Sequence, residues 1–181
     1  MIAPRLNALR AEHPGILLRL IGEKREASLS RREADLAVRL KRPDEKRLVA
    51  RKLGTFAVEL YASPAYLAER RPEDFVFIAY DEESDDLPQQ KWLMSFAGER
   101  PIVFKTNDLE AQRAAARNGV GIAALPNFLG DGDAGLKRLD LAIKPVVREV
   151  WLIVHGDLRR TPPVSAVMDF LSGCLQPIPI R

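Results

Sequence analysis

Apolar positions along this chain fall into two rhythms, helical spacing and short unbroken runs. Leu6 and Leu9 follow Pro4 at helical spacing, and Pro14-Gly15 stops that helix before the apolar run Ile16 to Ile21. Helix, turn and strand are therefore predicted in that order. Gly22-Glu23-Lys24 reads as the strand exit, Ala27 to Arg32 as a short helix, and Asp35 to Leu40 as the next buried strand, with Arg39 near its end. Such helix-strand alternation argues for parallel βαβ units with right-handed crossovers.

After Pro43 the pattern changes. Leu48 to Leu53 and Thr55 to Tyr61 read as two extended runs separated by Gly54, and Ser63-Pro64 opens a helix through Glu69 with serine as its cap. Pro72 to Asp74 is a turn, Phe75 to Tyr80 a strand and Asp81 to Pro88 an acidic loop. Trp92 to Ala97 and Pro101 to Phe104 are expected as a strand pair joined by Gly98-Glu99-Arg100. Thr106 or Asn107 caps a helix over Asp108 to Asn118, whose stripe of Ala111, Ala114 and Ala115 suits close packing on another helix. Gly119 stops it, Gly121 to Leu125 is a strand, and Asn127 to Gly135 is a loop with a helical turn around Phe128. Val146 to Val154 is expected to cross back to the first part of the fold, where Val164 to Leu175 forms the last helix.

Composition narrows the class. Over 181 residues, 46% hydrophobic and 29% charged residues describe an ordinary globular chain rather than a disordered one. One cysteine, Cys174, excludes an internal disulfide, and no metal-ligand spacing is present, which fits a reducing cytoplasm. The start lacks the zones of a signal peptide, and no apolar run approaches the roughly 20 residues that span a bilayer. A cytoplasmic protein with no membrane partner is expected. Net charge is only +3. The clusters Lys41-Arg42, Lys46-Arg47, Arg51-Lys52 and Arg70-Arg71 have acidic neighbours and no interleaved aromatics, so solvated surface explains them better than a phosphate track.

No catalytic constellation is found. His13 and His155 lack motif partners, and the acidic run from Asp81 to Asp86 lacks the glycine-containing pattern of a calcium loop. Asn118-Gly119-Val120-Gly121 ends a helix rather than opening one, so its amides point away from any pyrophosphate. Open α/β sheets place ligands beyond the carboxyl ends of their strands. Arg39 sits at one such end and could fork onto a carboxylate, or it could snorkel to water or pair with Asp35. Thr106-Asn107 sits at a helix start with amides and a positive dipole end, or it serves only as a cap.

Four blocks, READLAVRLKRP, LVARKLG, LYASPAYLAER and NGVGIAALP, stand in an order and spacing that resembles the effector-binding domain of LysR-type transcriptional regulators. The resemblance covers nearly the whole chain. It implies an α/β, two-lobed, periplasmic-binding-protein-like (type 2) fold, with Rossmann-like lobes joined by two crossing segments. Lobe I is expected over 1–60 and 156–181, lobe II over 61–155. A small-molecule effector, an organic anion or a zwitterion, is expected in the interlobe cleft. The resemblance places Glu23, Lys24, Arg39, Thr106, Asn107 and Pro126 around it. No cofactor, no metal and no enzymatic activity are implied, and a homodimer is.

The family reads DNA through an amino-terminal winged helix-turn-helix, which is expected to be absent here together with the first strand of lobe I. DNA is thus a partner only through a domain outside this chain, and apolar surface is expected to be exposed in lobe I. The rival readings are a transport-type solute-binding protein, against which the missing signal peptide counts, and an enzyme on the same fold, for which no acid-base residues are located.

Overall fold

The computed structural model describes residues 2–22, 28–29, 31–45, 47–141 and 143–175. It divides into two compact units: the first takes the described residues up to Thr55 and from Glu149 onward, the second Phe56–Arg148. Strands β2 (Leu48–Ala62) and β7 (Val146–His155) are the two segments that carry the chain from one unit to the other. Gly54 does not divide β2 into two runs, because glycine fits an extended backbone as readily as a turn.

The first unit contains α1 (Leu6–Glu12), β1 (Leu36–Arg39), the start of β2, most of β7, and α6 (Pro162–Cys174). Its core joins Leu9 of α1 to Leu53, Leu152, Val167 and Leu171. In α6 the buried positions Val167, Leu171 and Cys174 repeat at helical spacing. Burial of each of these leucines contributes about 1.5–3 kcal/mol. Strand β1 pairs antiparallel with β7, Leu36 opposite Val154 and Arg39 opposite Trp151, so the parallel arrangement expected here does not form.

Two further expectations fail in this unit. Residues 16–21 belong to no strand, although burial alternates over residues 16–19. Ile16 and Leu18 pack on the core, while Leu17, Leu20 and Ile21 are 95%, 64% and 50% exposed. A strand needs a ladder partner, and among the described residues none pairs with this segment. Of the short helix predicted over Ala27 to Arg32, the described residues 28–29 and 31–32 are not helical, and Ala27 and Ser30 lie outside the described residues. The Glu33 amide donates to the Ser28 carbonyl, and Arg32 adopts a φ of 58°, which no right-handed helix accommodates.

The second unit does hold the parallel pattern. Strands β3 (Phe77–Ala79), β4 (Ile102–Lys105) and β5 (Ile122–Pro126) run parallel, with α3 (Pro88–Ala97) and α4 (Leu109–Arg117) as crossovers. Antiparallel β2 closes the far side of β5, and the short β6 (Lys137–Arg138) pairs with β2. Helix α2 (Pro64–Glu69) starts as predicted, the Ser63 hydroxyl accepting from the Tyr66 amide at 3.2 Å. Gly119, at φ 78°, follows α4 in the left-handed conformation expected of its stop.

Residues 92–97, expected as a strand, are the second half of α3. Pro88 opens that helix, Gln90, Leu93 and Ala97 form its buried stripe, and Gly98 ends it at φ 59°. The stripe of α4 also differs: Gln112 and Ala116 are buried and Ala114 is exposed, and the helix rests on strands β3 and β5 rather than on another helix. The core of this unit is Tyr61, Ile78, Ala116, Ala123, Leu125 and Leu136. The short helix α5 (Asn127–Gly130) ends against it. Gly130 lies so close to the Tyr61 ring that any Cβ would overlap it.

Candidate functional site at the strand ends of the second unit

Because β3, β4 and β5 are parallel and adjacent, their carboxyl ends share one edge. There the chain leaves β3 at Tyr80, β4 at Thr106 and β5 after Pro126. Two of these exits are fixed by buried glutamines. Gln90, 2% exposed, accepts from the Tyr80 amide at 3.1 Å and donates back to the Tyr80 carbonyl at 3.3 Å. Gln112, 1% exposed, donates to the Thr106 carbonyl at 3.0 Å, while the Thr106 amide donates to the Ala79 carbonyl at 3.1 Å. Polar groups removed from water are stable only when partnered, so each glutamine holds its strand exit in one geometry.

The start of α4 differs from expectation. Its cap is Asp108 rather than Thr106 or Asn107: the Asp108 carboxylate accepts from the Glu110 amide at 2.8 Å and the Ala111 amide at 3.3 Å. The Thr106 hydroxyl in turn accepts from the Asp108 amide at 3.1 Å. The helix start thus already carries a negative group, which weakens the attraction its dipole would exert on an anion. Thr106 is half-buried, Asn107 is exposed, and Pro126 is buried in β5 opposite Val58.

In the first unit Arg39 is half-buried at the end of β1. Glu23 and Lys24 lie outside the described residues. Tyr80 and Thr106 are brought together on neighbouring strands, a pairing that sequence reasoning missed for Tyr80.

Also missed were Gln89 and Arg148. The Arg148 guanidinium donates to the Gln89 side-chain carbonyl at 2.6 Å, and Gln89 shares a hydrogen bond with the Tyr80 hydroxyl. Burial pushes the Arg148 pKa below its ordinary value and the Tyr80 pKa above its own. The signal that could have found this group was Pro88 followed by Gln90, Leu93 and Ala97. It marks a helix whose first turn, including Gln89, lies next to the exit of β3.

In the acidic loop before α3, Glu82 and Asp86 are paired with lysines. Lys105 contacts Glu82 at 2.6 Å and Lys91 contacts Asp86 at 2.9 Å. Among the described residues no group of histidine, cysteine and carboxylate side chains could hold a metal. His155 faces Asp157 at 3.4 Å, a contact within one turn. No described helix is long and apolar enough to cross a membrane. Open surface depressions exist elsewhere. One of about 550 Å³, lined by Arg70, Asp74, Val76 and Pro101 among others, sits at the opposite, amino ends of β3 and β4. Another of about 870 Å³ runs between α1 and α6 of the first unit.

The strand exits of this parallel sheet lie on the edge where open α/β proteins place ligands. The LysR substrate binding domain family matches residues 1–174, and the chain belongs to that family. Its relatives include the Mau operon transcriptional activator of Paracoccus denitrificans, 29% identical over 169 residues, covering 93% of this chain and 58% of that protein. An uncharacterized HTH-type transcriptional regulator of Haemophilus influenzae is 30% identical over 165 residues, covering 85% of this chain and 56% of that protein. The chain therefore spans less than two thirds of the length of either relative.

Among solved structures, the regulatory domain of CrgA from Neisseria meningitidis aligns with TM-score 0.77 at 22% identity, covering 97% of this chain and 92% of that one. Full-length LysG from Corynebacterium glutamicum, with its effector Arg bound, aligns with TM-score 0.73 at 18% identity, covering 95% of this chain and 62% of that one. These likenesses establish the fold, the two-lobed type 2 periplasmic-binding-protein-like α/β class.

Proposed function

We propose that this chain is the effector-sensing part of a LysR-type transcriptional regulator that, in the intact protein, controls transcription in response to a small metabolite. The observation that carries the reading is the family match across residues 1–174. The effector is an organic anion or a zwitterion, and the chain itself performs no catalysis. Its contacts are Thr106, Asn107 and Pro126 in the second unit and Arg39, Glu23 and Lys24 in the first.

Thr106 is supported by the clamp that fixes its backbone. Arg39 is supported by the block READLAVRLKRP that carries the family resemblance and by its half-buried place at the end of β1. The regulator works in the cytoplasm as a homodimer, and DNA is read by a domain outside these 181 residues. The bound effector of LysG lends support to sensing on this fold.

The test is a thermal-shift screen against a broad metabolite collection, since a ligand that binds only the folded state raises the melting temperature. A hit is expected, and Arg39→Ala and Asn107→Ala should each weaken it. A hit unaffected by either change removes that residue from the site, and a screen without any hit counts against sensing. In a gel-shift assay the chain alone should form no salt-resistant, sequence-specific complex with DNA; such a complex would show that it reads DNA itself.

A further inference from the structure

Taking effector sensing as given, we infer that Arg148 is the charge-recognising group of the second unit, receiving a carboxylate of the effector together with the hydroxyl of Tyr80. Arg148 is half-buried, and among the described residues no carboxylate pairs with it; its guanidinium is steered by the neutral Gln89 side chain at 2.6 Å. A guanidinium partly withdrawn from water without a counter-charge is less well solvated than a free one, and an incoming carboxylate compensates for this. Gln89 takes one N–H of the Arg148 guanidinium and leaves the rest of the fork open, and the Tyr80 hydroxyl lies near both.

Three further features fit this assignment. Tyr80 is not a loose side chain on a loop, because Gln90 grips its backbone through both amide and carbonyl. The nearby acidic loop has Glu82 and Asp86 tied to Lys105 and Lys91, so neither is a free rival for the arginine. The start of α4, the other candidate for anion recognition, is already occupied by Asp108. The ligand chemistry is thus a planar, monoanionic carboxylate able to accept two parallel N–H bonds while also meeting a phenol.

The experiment titrates butyrate and benzoate, with butyramide and benzamide as uncharged counterparts, into the wild-type chain and into Arg148→Met, Arg148→Lys and Tyr80→Phe. Affinity is read by calorimetry, and the Arg148 Nε–H signal is followed by NMR. At least one carboxylate should bind the wild type and move that signal, while the amides do not. Arg148→Met should weaken the carboxylate about tenfold to a hundredfold, as loss of a charge-assisted hydrogen bond implies. If Arg148→Met fails to fold, Arg148→Lys, which keeps the charge but loses the fork, should still weaken binding, and the wild-type NMR signal needs no variant.

Carboxylates binding Arg148→Met as tightly as wild type would overturn the assignment, as would a wild type that takes neither carboxylate. Either failure leaves effector sensing standing if the broad metabolite screen still yields a ligand of other chemistry. A screen without any ligand would defeat both.

Discussion

The strand ends of the two units carry their candidate recognition residues in different ways. In the second unit the exits at Tyr80 and Thr106 follow strands of a parallel sheet, and each is pinned by a glutamine sealed from water. In the first unit Arg39 closes a four-residue strand with no fully buried position, and the neighbouring run 16–21 leaves Leu17, Leu20 and Ile21 in solvent. One end is pre-organised by hydrogen bonds that leave it little freedom. The other is held mainly by a single antiparallel pairing with β7. Recognition that depends on geometry therefore belongs to the second unit, since a group fixed before binding loses less entropy on binding.

The contrast in packing can be broken most sharply at glycines. Gly130→Ala drives a methyl into the buried Tyr61 ring and should cost about 1–3 kcal/mol in urea unfolding, the usual range for overpacking. Gly15→Ala in the first unit meets nothing within 4 Å and should stay within about 0.5 kcal/mol. Equal losses would show that the two units are packed alike.

Gln90→Ala and Gln112→Ala should each cost about 1–3 kcal/mol, because a buried carbonyl or amide then loses its partner. Hydrogen exchange at the Tyr80 amide should accelerate in Gln90→Ala, with first-unit amides unchanged. Unchanged exchange at Tyr80 would mean that the clamp does not fix the strand exit.

The smallest effect concerns pH. The Lys105 ammonium hydrogen-bonded to Glu82 holds that carboxyl below its ordinary range. A carboxyl whose folded pKa is depressed contributes stability above its unfolded pKa and loses it as pH falls through the folded value. In Lys105→Ala the Glu82 titration followed by NMR should move up toward the ordinary carboxylate range. The pair is exposed, so its effect on stability should be slight and should vanish in acid. A Glu82 midpoint indifferent to Lys105 would assign the depression to the backbone contact at the start of its own turn.

Local chemistry made several elements legible from residue order alone. Ser63 before Pro64 marks a cap, Gly119 marks a stop, and the apolar face of residues 164–175 marks the closing helix, because each signal acts within a few residues. Residues 92–97 misled because Trp92 and Phe96 carry strand preference, whereas Pro88 and the spacing of Gln90, Leu93 and Ala97 set the helix. At the site, Thr106 was legible from its place ahead of a helix. Tyr80, Gln89 and Arg148 were not, because Arg148 lies 59 residues from the glutamine it contacts.

What the amino-acid order settled by itself was the family, the cap that opens α2, the stop after α4 and the closing helix. Only the tertiary structure decided which strands found partners, which glutamines were interior, and where an arginine met a tyrosine. Caps and stops are satisfied by neighbours along the chain. A ladder hydrogen bond or a buried amide is satisfied by residues far away in sequence, and no local pattern of apolar and polar positions encodes which residues those are.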